Sequence, residues 1–333
     1  MYSSRRPVAA RIVVAVAAIA AASLSALAAV SPAAAALSAS GRALPAVAAG
    51  RSAPAAATAP AAAPAGVRAR GAELADASTA RRLWSRDLNT RRPMASITKV
   101  MTALVVIRAG HLGQKITISK GVIAYAKKNS DATIAGLRAG DVLTARQLLE
   151  AMLLPSGADA AFALARAYGP GWKAFVRKMN AAATQLRMTR THYANFDGLP
   201  WPTGHATYST PHDLLILGEA AMKSVTFRDI VRQRSHWIGA TAQHHQYHWK
   251  TTNLLLGSYP GAVGIKTGWT TAAGYCLLFE AAHLGRTLIG VVLDSTASNP
   301  DARFVAAARL LNWGFGIAEP RRIRARPAGA RTD

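Results

Sequence analysis

Along the 333 residues, the spacing of hydrophobic and polar positions divides the chain into stretches of different character. Between Ser96 and Met222 apolar positions recur three and four residues apart. That spacing predicts helices over Ser96–Ala109, Thr144–Leu154, Ala158–Tyr168, Trp172–Leu186 and Thr210–Met222, most of them bounded by Gly or Pro. Further on the pattern turns to strands: "RSHWIGA", "GAVGIKTGWT", "GYCLLFEAAHL" and "RTLIGVVLD", closed by a helix over Asp301–Trp313. Upstream, "AELADASTARRLWSRDLNTRRP" reads as two short strands joined by a turn at Asp87–Asn89. Strands, then helices, then strands with a terminal helix predict an α+β domain whose antiparallel sheet is built from both chain ends. No internal repeat is visible.

The N-terminal pattern is different. Arg5, Arg6 and Arg11 precede an uncharged apolar run from Ile12 to Val30, followed by small residues at Ala34–Ala36. Basic, then apolar, then A-x-A is the order of a secretory signal peptide, here residues 1–36; an uncleaved anchor is the alternative, because the run nearly spans a bilayer. Either way the rest of the chain is expected outside the cytoplasm, secreted or periplasmic, on the cell-wall side. Residues 37–71 are Ala, Pro, Ser and Arg without periodicity and read as a disordered linker. The folded domain is expected over 72–318, with a basic disordered tail over 319–333.

Charge and cysteine content narrow the setting. The net charge of +24 is shared with the N-terminal stretch and the tail, yet the folded part is basic on its own. An exported basic domain suits an anionic wall polymer or membrane surface. Nucleic acid is not expected as a partner, since zinc-finger spacing, RNP-like aromatic runs and helix-turn-helix signals are missing. The single cysteine, Cys276, rules out an intrachain disulfide, and its strand-like surroundings make it a packed thiol.

Candidate chemistry begins at "PMASITKVMTAL", where Ser96 and Lys99 open an otherwise apolar run. Helical spacing puts i and i+3 on one face, so hydroxyl and amine lie within reach of each other. Burial disfavours the charged amine, leaving a base able to take the hydroxyl proton. "LLPSGADAAFALA" places Ser156 in a turn before an apolar helix, where a second hydroxyl can relay a proton to a leaving amine. "GAVGIKTGWT" places Lys266, Thr267, Gly268 and Trp269 on a strand. The lysine suits a substrate carboxylate, Gly268 permits close approach of a peptide backbone, and the N–H groups of Ser96 and Trp269 would face an oxyanion.

In this order the three patterns are the set shared by penicillin-binding proteins and class A β-lactamases. Together with "HYANFDGLP", "GHATYSTPHDLLIL" and "WKTTNLLL", they make the chain from about Ala75 to Phe315 resemble the low-molecular-mass D-alanyl-D-alanine carboxypeptidases, serine peptidases of peptidoglycan. The resemblance implies a penicillin-binding/serine β-lactamase-like fold: a five-stranded antiparallel sheet packed with helices, with the active site between the sheet and an all-helical half. It implies that Ser96 is acylated and Lys99 is its base, that Ser156 is the second-motif serine, and that Lys266 and Thr267 hold the substrate carboxylate. Stem peptides ending in D-Ala-D-Ala are the implied substrate, β-lactams the implied covalent inhibitors, and no cofactor or metal is implied. One position departs from the pattern. The second motif usually ends in asparagine, and here it ends in Ala158, which offers no amide to the substrate.

Other readings stand beside this one. A D,D-transpeptidase or endopeptidase would share the acyl-enzyme, and a poorly catalytic penicillin-binding wall protein would keep the cleft with Ala158. A class A β-lactamase needs an E-x-x-L-N pattern, whereas Glu219, the only glutamate between Ser156 and Lys266, is expected to be exposed mid-helix. His236, His244, His245 and His248 have zinc-like spacing without a nearby carboxylate in sequence, and read as polar loop or exposed-strand residues. His205 is expected to order the loop after Asn195–Gly198. Trp201, Trp237 and Trp249 are candidates for a glycan or peptide groove or for plain packing.

Overall fold

The computed structural model describes residues 62–129, 132–296 and 299–317. The expected signal peptide, the linker up to residue 61 and the basic tail lie outside the described residues. In chain order the elements are β1 (Gly71–Asp76), β2 (Arg82–Arg86), a 3-10 turn Ala95–Ile97, α1 (Thr98–Ala109), β3 (Lys115–Thr117), α2 (Lys120–Lys128), β4 (Val142–Thr144) and α3 (Ala145–Leu153). There follow α4 (Ala158–Ala167), α5 (Trp172–Gln185), α6 (Pro211–Met222), α7 (Val225–Val231), β5 (Ser235–Ile238) and β6 (Tyr247–Lys250). The chain closes with β7 (Ala262–Thr270), β8 (Gly274–His283), β9 (Arg286–Leu293) and α8 (Ala302–Phe315).

Strand order β2-β1-β9-β8-β7 gives a five-stranded antiparallel sheet whose edge hairpin comes from the start of the domain and whose other three strands come from its end. Side chains alternate between two cores, as a strand's period of two requires. Cys276, Leu278, Ile289, Val291 and Leu293 join the helical half. Leu277, Phe279, Leu288 and Val292 pack instead with Phe304, Leu310 and Leu311 of α8. A sheet covered on both faces explains why β8 reads as a nearly unbroken apolar run. Cys276 is fully buried there, and burial pushes its thiol up to about 12, which makes it a packing group.

Three local expectations need correction. The β1–β2 turn falls at Ala77–Arg81, not at Asp87–Asn89, because Asp76 Oδ1 accepts from the Ser78 and Thr79 N–H groups and from the Ser78 hydroxyl at 2.5 Å. A carboxylate that captures the backbone just beyond it starts a turn by itself. The stretch 62–70, read as linker, is packed: Val67 and Ala69 are buried in the α8 core, Trp313 Nε1 donates to Ala62 O at 2.6 Å, and Arg309 donates to Gly66 O. The short elements α2, α7, β3 and β4 lie outside the predicted set, since elements of three to nine residues carry little periodic signal, whereas "RSHWIGA" does form β5. No helix among the described residues is long and apolar enough to cross a membrane.

Candidate active site

Ser96 does not open a single helix. It sits in the 3-10 turn, and Lys99 lies in the first turn of α1. Ala95, at φ 48°, bends the chain into that turn. Lys99 is 1% exposed among Val100, Met101 and Ala103, so its amine is held in a dry setting. Its Nζ donates to Ser96 Oγ at 2.8 Å and to the carbonyl of Asp197 at 3.1 Å. Hydroxyl and amine are therefore in direct contact, with the amine anchored by the loop between α5 and α6.

Ser156 occupies the connection between α3 and α4 at φ 70°, a left-handed conformation unusual for a side-chain-bearing residue. Its Oγ is buried and has no hydrogen-bond partner in the protein, which is a costly state for a hydroxyl unless function requires it. The turn is held from both sides. Asp159 accepts from the N–H groups of Ala135, Leu137 and Ala160 at 2.8, 3.1 and 2.9 Å. Burial raises the Asp159 carboxyl, against the pull of those backbone donors. Ala158 is fully buried, and its N–H donates to Thr133 O at 2.9 Å.

The third motif lies on β7, the edge strand. Lys266 and Thr267 are buried, and Lys266 Nζ donates to the Thr267 carbonyl and hydroxyl at 3.2 and 3.3 Å. Thr252 joins this strand to the Ser156 turn: its hydroxyl is 2.6 Å from that of Thr267, and its N–H donates to Leu154 O at 3.0 Å. Gly268 is set by packing. A Cβ there would lie 2.8 Å from Met94 O and 3.2 Å from Ser96 N, so only glycine lets β7 pass against the turn that carries Ser96. Trp269 is half-buried against Tyr275, with ring centroids 5.9 Å apart.

Several contributors escaped the sequence reading. Arg303 of α8 is 1% exposed, donates to Gly268 O at 3.1 Å and lies over the Tyr275 ring at 5.2 Å, bracing β7 from behind. Asn195, not His205, orders the following loop: its Nδ2 donates to Leu199 O and Trp201 O at 2.9 and 2.7 Å, and its Oδ1 accepts from Gly198 N at 2.7 Å. His205 is exposed. Asp197 of that loop is fully buried and accepts from the Tyr125 hydroxyl at 2.5 Å. Asp197 and Gly198 were visible inside "HYANFDGLP", but nothing local says that this loop meets α1.

Other candidates find structural partners. Glu219 is half-buried rather than exposed; burial first, and the nearby charge of Glu73 second, raise its carboxyl. His236 Nε2 lies 3.0 Å from Glu150, and His245 Nδ1 lies 2.8 Å from Asp141. These two histidines face different carboxylates, and no three metal-ligating groups cluster among the described residues. Trp249 is buried and donates to Ala135 O at 3.0 Å, Trp201 packs with Tyr125, Trp172 and Phe196, and Trp237 is 57% exposed.

Comparison with known proteins agrees with this geometry. Residues 56–297 match the family model for D-alanyl-D-alanine carboxypeptidase. A D-alanyl-D-alanine carboxypeptidase of Streptomyces sp. strain K15 is 40% identical over 259 residues, covering 74% of this chain and 87% of the relative. The carboxypeptidase DacB2 of Mycobacterium tuberculosis is 35% identical over 246 residues, covering 73% and 81%. The crystal structure of the Streptomyces K15 DD-transpeptidase superposes with a TM-score of 0.71 at 40% identity, over 75% of this chain and 98% of that one. With the three motifs on a shared fold, the chain belongs to the D-alanyl-D-alanine carboxypeptidase family of serine peptidases.

Proposed function

We propose that the protein removes the terminal D-alanine from peptidoglycan stem peptides through an acyl-enzyme on Ser96. The 2.8 Å contact between the buried Lys99 Nζ and the half-buried Ser96 Oγ carries this reading. A buried amine beside a hydroxyl is placed to take its proton as the oxygen attacks the D-Ala-D-Ala carbonyl. Lys266 and Thr267 hold the substrate's terminal carboxylate, and the N–H groups of Ser96 and Trp269 receive the oxyanion. Ser156, whose hydroxyl is unpartnered, relays the proton to the departing amine of D-alanine. Water then cleaves the ester. The absence of an asparagine at Ala158 removes one substrate contact and leaves the proton path in place. β-Lactams imitate the same peptide and acylate Ser96 without rapid release.

Transfer to an amine acceptor is the second reading, favoured by the DD-transpeptidase name of the Streptomyces K15 structure. Both readings place the enzyme outside the cytoplasm, and we infer export through the basic-then-apolar N-terminus and attraction of the basic surface to anionic wall polymer or membrane. The test is intact-protein mass spectrometry with a penicillin, followed alongside D-alanine release from a D-Ala-D-Ala peptide with and without an added amine. A stable adduct on Ser96, lost in Ser96→Ala, together with D-alanine release is expected. Adduct formation in the Ser96→Ala variant would overturn the nucleophile, and transfer product exceeding free acid would shift the activity to transpeptidation.

A further inference from the structure

In that reaction Lys99, 1% exposed, gains a charge, and a new buried ammonium is costly unless an anion faces it. Asp197 offers one. Its carboxylate is fully buried and in electrostatic contact with Lys99, and its own carbonyl accepts from Lys99 Nζ at 3.1 Å. The carboxyl is buried without being bare. Tyr125 of α2 donates to Oδ2 at 2.5 Å, the Leu199 N–H donates to Oδ1 at 3.1 Å, and Trp201 Nε1 donates to the Tyr125 hydroxyl at 3.0 Å. Burial, then the charge of Asp197, pushes the Tyr125 hydroxyl up, so that it remains a donor. Burial also pushes the Asp197 carboxyl up; the charge of Lys99, once it is protonated, and the Tyr125 hydrogen bond pull against that.

Asn195 rather than Asp197 makes most of the hydrogen bonds that shape the loop, the Asp197 carboxyl adding one within it, from the Leu199 N–H. Asn195 already closes it through four hydrogen bonds, to Leu199 O, Trp201 O, Asp197 N and Gly198 N. Ionisable groups on the surrounding elements are engaged elsewhere or exposed. Asp159 of α4 is occupied by backbone N–H groups, Arg166 of α4 lies over the Phe162 ring, and Lys178 of α5 donates to Tyr168 O at 2.5 Å. Lys120, Lys127 and Lys128 of α2 are exposed. Lys266 of β7 and Arg303 of α8 are also buried, and they donate to Thr267 O and Gly268 O respectively.

We propose that Asp197, held by Tyr125 and Trp201, is a positioning residue that faces the Lys99 ammonium formed when Ser96 attacks. As the Ser96 Oγ–H bond breaks, the proton moves to Lys99 Nζ and the Oγ–carbon bond forms; Asp197 takes no proton and offsets the new charge. The assignment rests on the roles of Ser96 and Lys99 proposed above.

The test is the pH dependence of the penicillin acylation rate, read by intact-protein mass spectrometry, for the wild type, Asp197→Asn, Tyr125→Phe and the double variant. Asp197→Asn is expected to acylate about tenfold more slowly at neutral pH. The limb along which acylation rises with pH should also move to lower pH, because a neutral amide no longer favours the ammonium. Tyr125→Phe should slow acylation less and add nothing to Asp197→Asn, since its effect runs through the carboxylate. A lower rate with the limb unmoved, or full additivity of the two substitutions, would overturn the proposal. If Asp197→Asn loses its cooperative melting transition, the limb of Tyr125→Phe decides alone: a move supports the proposal and a fixed limb refutes it. A wild-type protein that takes no label at all would refute the Ser96–Lys99 reading instead.

Discussion

Ser96 and Lys99 meet because three neighbouring residues accept unusual constraints. Ala95 takes a left-handed φ, Gly268 gives up a side chain so that β7 can pass, and Gly198, at φ 82°, leaves no room for a Cβ, which would lie 1.9 Å from Ala95 O. Gly268→Ala forces Met94 O or β7 to move, an overpacking cost of about 1–3 kcal/mol. We expect a lower melting temperature and a disproportionate loss of penicillin acylation, because the displaced atoms include Ser96 N; wild-type acylation in a folded Gly268→Ala variant would show that β7 and the turn are not coupled. At this scale the sequence is informative about identity and weak on cause. The serine, both lysines and Ala158 are read directly, whereas the reason for Gly268 appears only when two distant segments touch.

At the scale of elements, β8 and α7 enclose Glu280, which is 8% exposed with Arg228 nearby. Burial raises its carboxyl from 4.5 to about 7, and Arg228 opposes that only in part. Between those values the folded protein keeps a proton that the unfolded chain has released, so Glu280 makes stability fall as pH rises through the window. Glu280→Gln should raise the melting temperature at pH 8, by the equivalent of about 3 kcal/mol at most, and have little effect at pH 4. Equal melting curves at both pH values would refute this. The β5–β6 hairpin illustrates how much of an element is legible. Its alternation of buried Tyr247 and Trp249 with exposed His248 and Lys250 is present in "YHWK", but the Asp141 and Glu150 that hold His245 and His236 lie on the helical half, about 100 residues away.

Across the whole molecule, one sheet separates two cores, and α8 closes the smaller one together with residues 62–70. Burial of Val67 alone is worth about 1.5–3 kcal/mol. A chain beginning at residue 72 should therefore melt roughly 5 °C or more below one beginning at residue 62. Equal melting temperatures for the two would return this stretch to the linker. The sequence placed the boundary too late because Ala, Pro and Gly look alike in a linker and in a strap laid across a helix, and only the facing surface tells them apart.

By itself the sequence determined the class of fold and the order of the three motifs, since both depend on local spacing: a period of two in strands and of three to four in helices, and short fixed intervals within each motif. It also determined that Cys276 is packed and that strands from both ends of the domain share one sheet. Only the tertiary structure decided which groups serve the buried polar atoms. Lys99 finds Asp197 O across 98 positions of sequence, and Arg303 reaches Gly268 O from 35 residues away. A buried charge must be satisfied by whatever chain crosses it, and crossings are set by packing of whole elements, which no local pattern encodes.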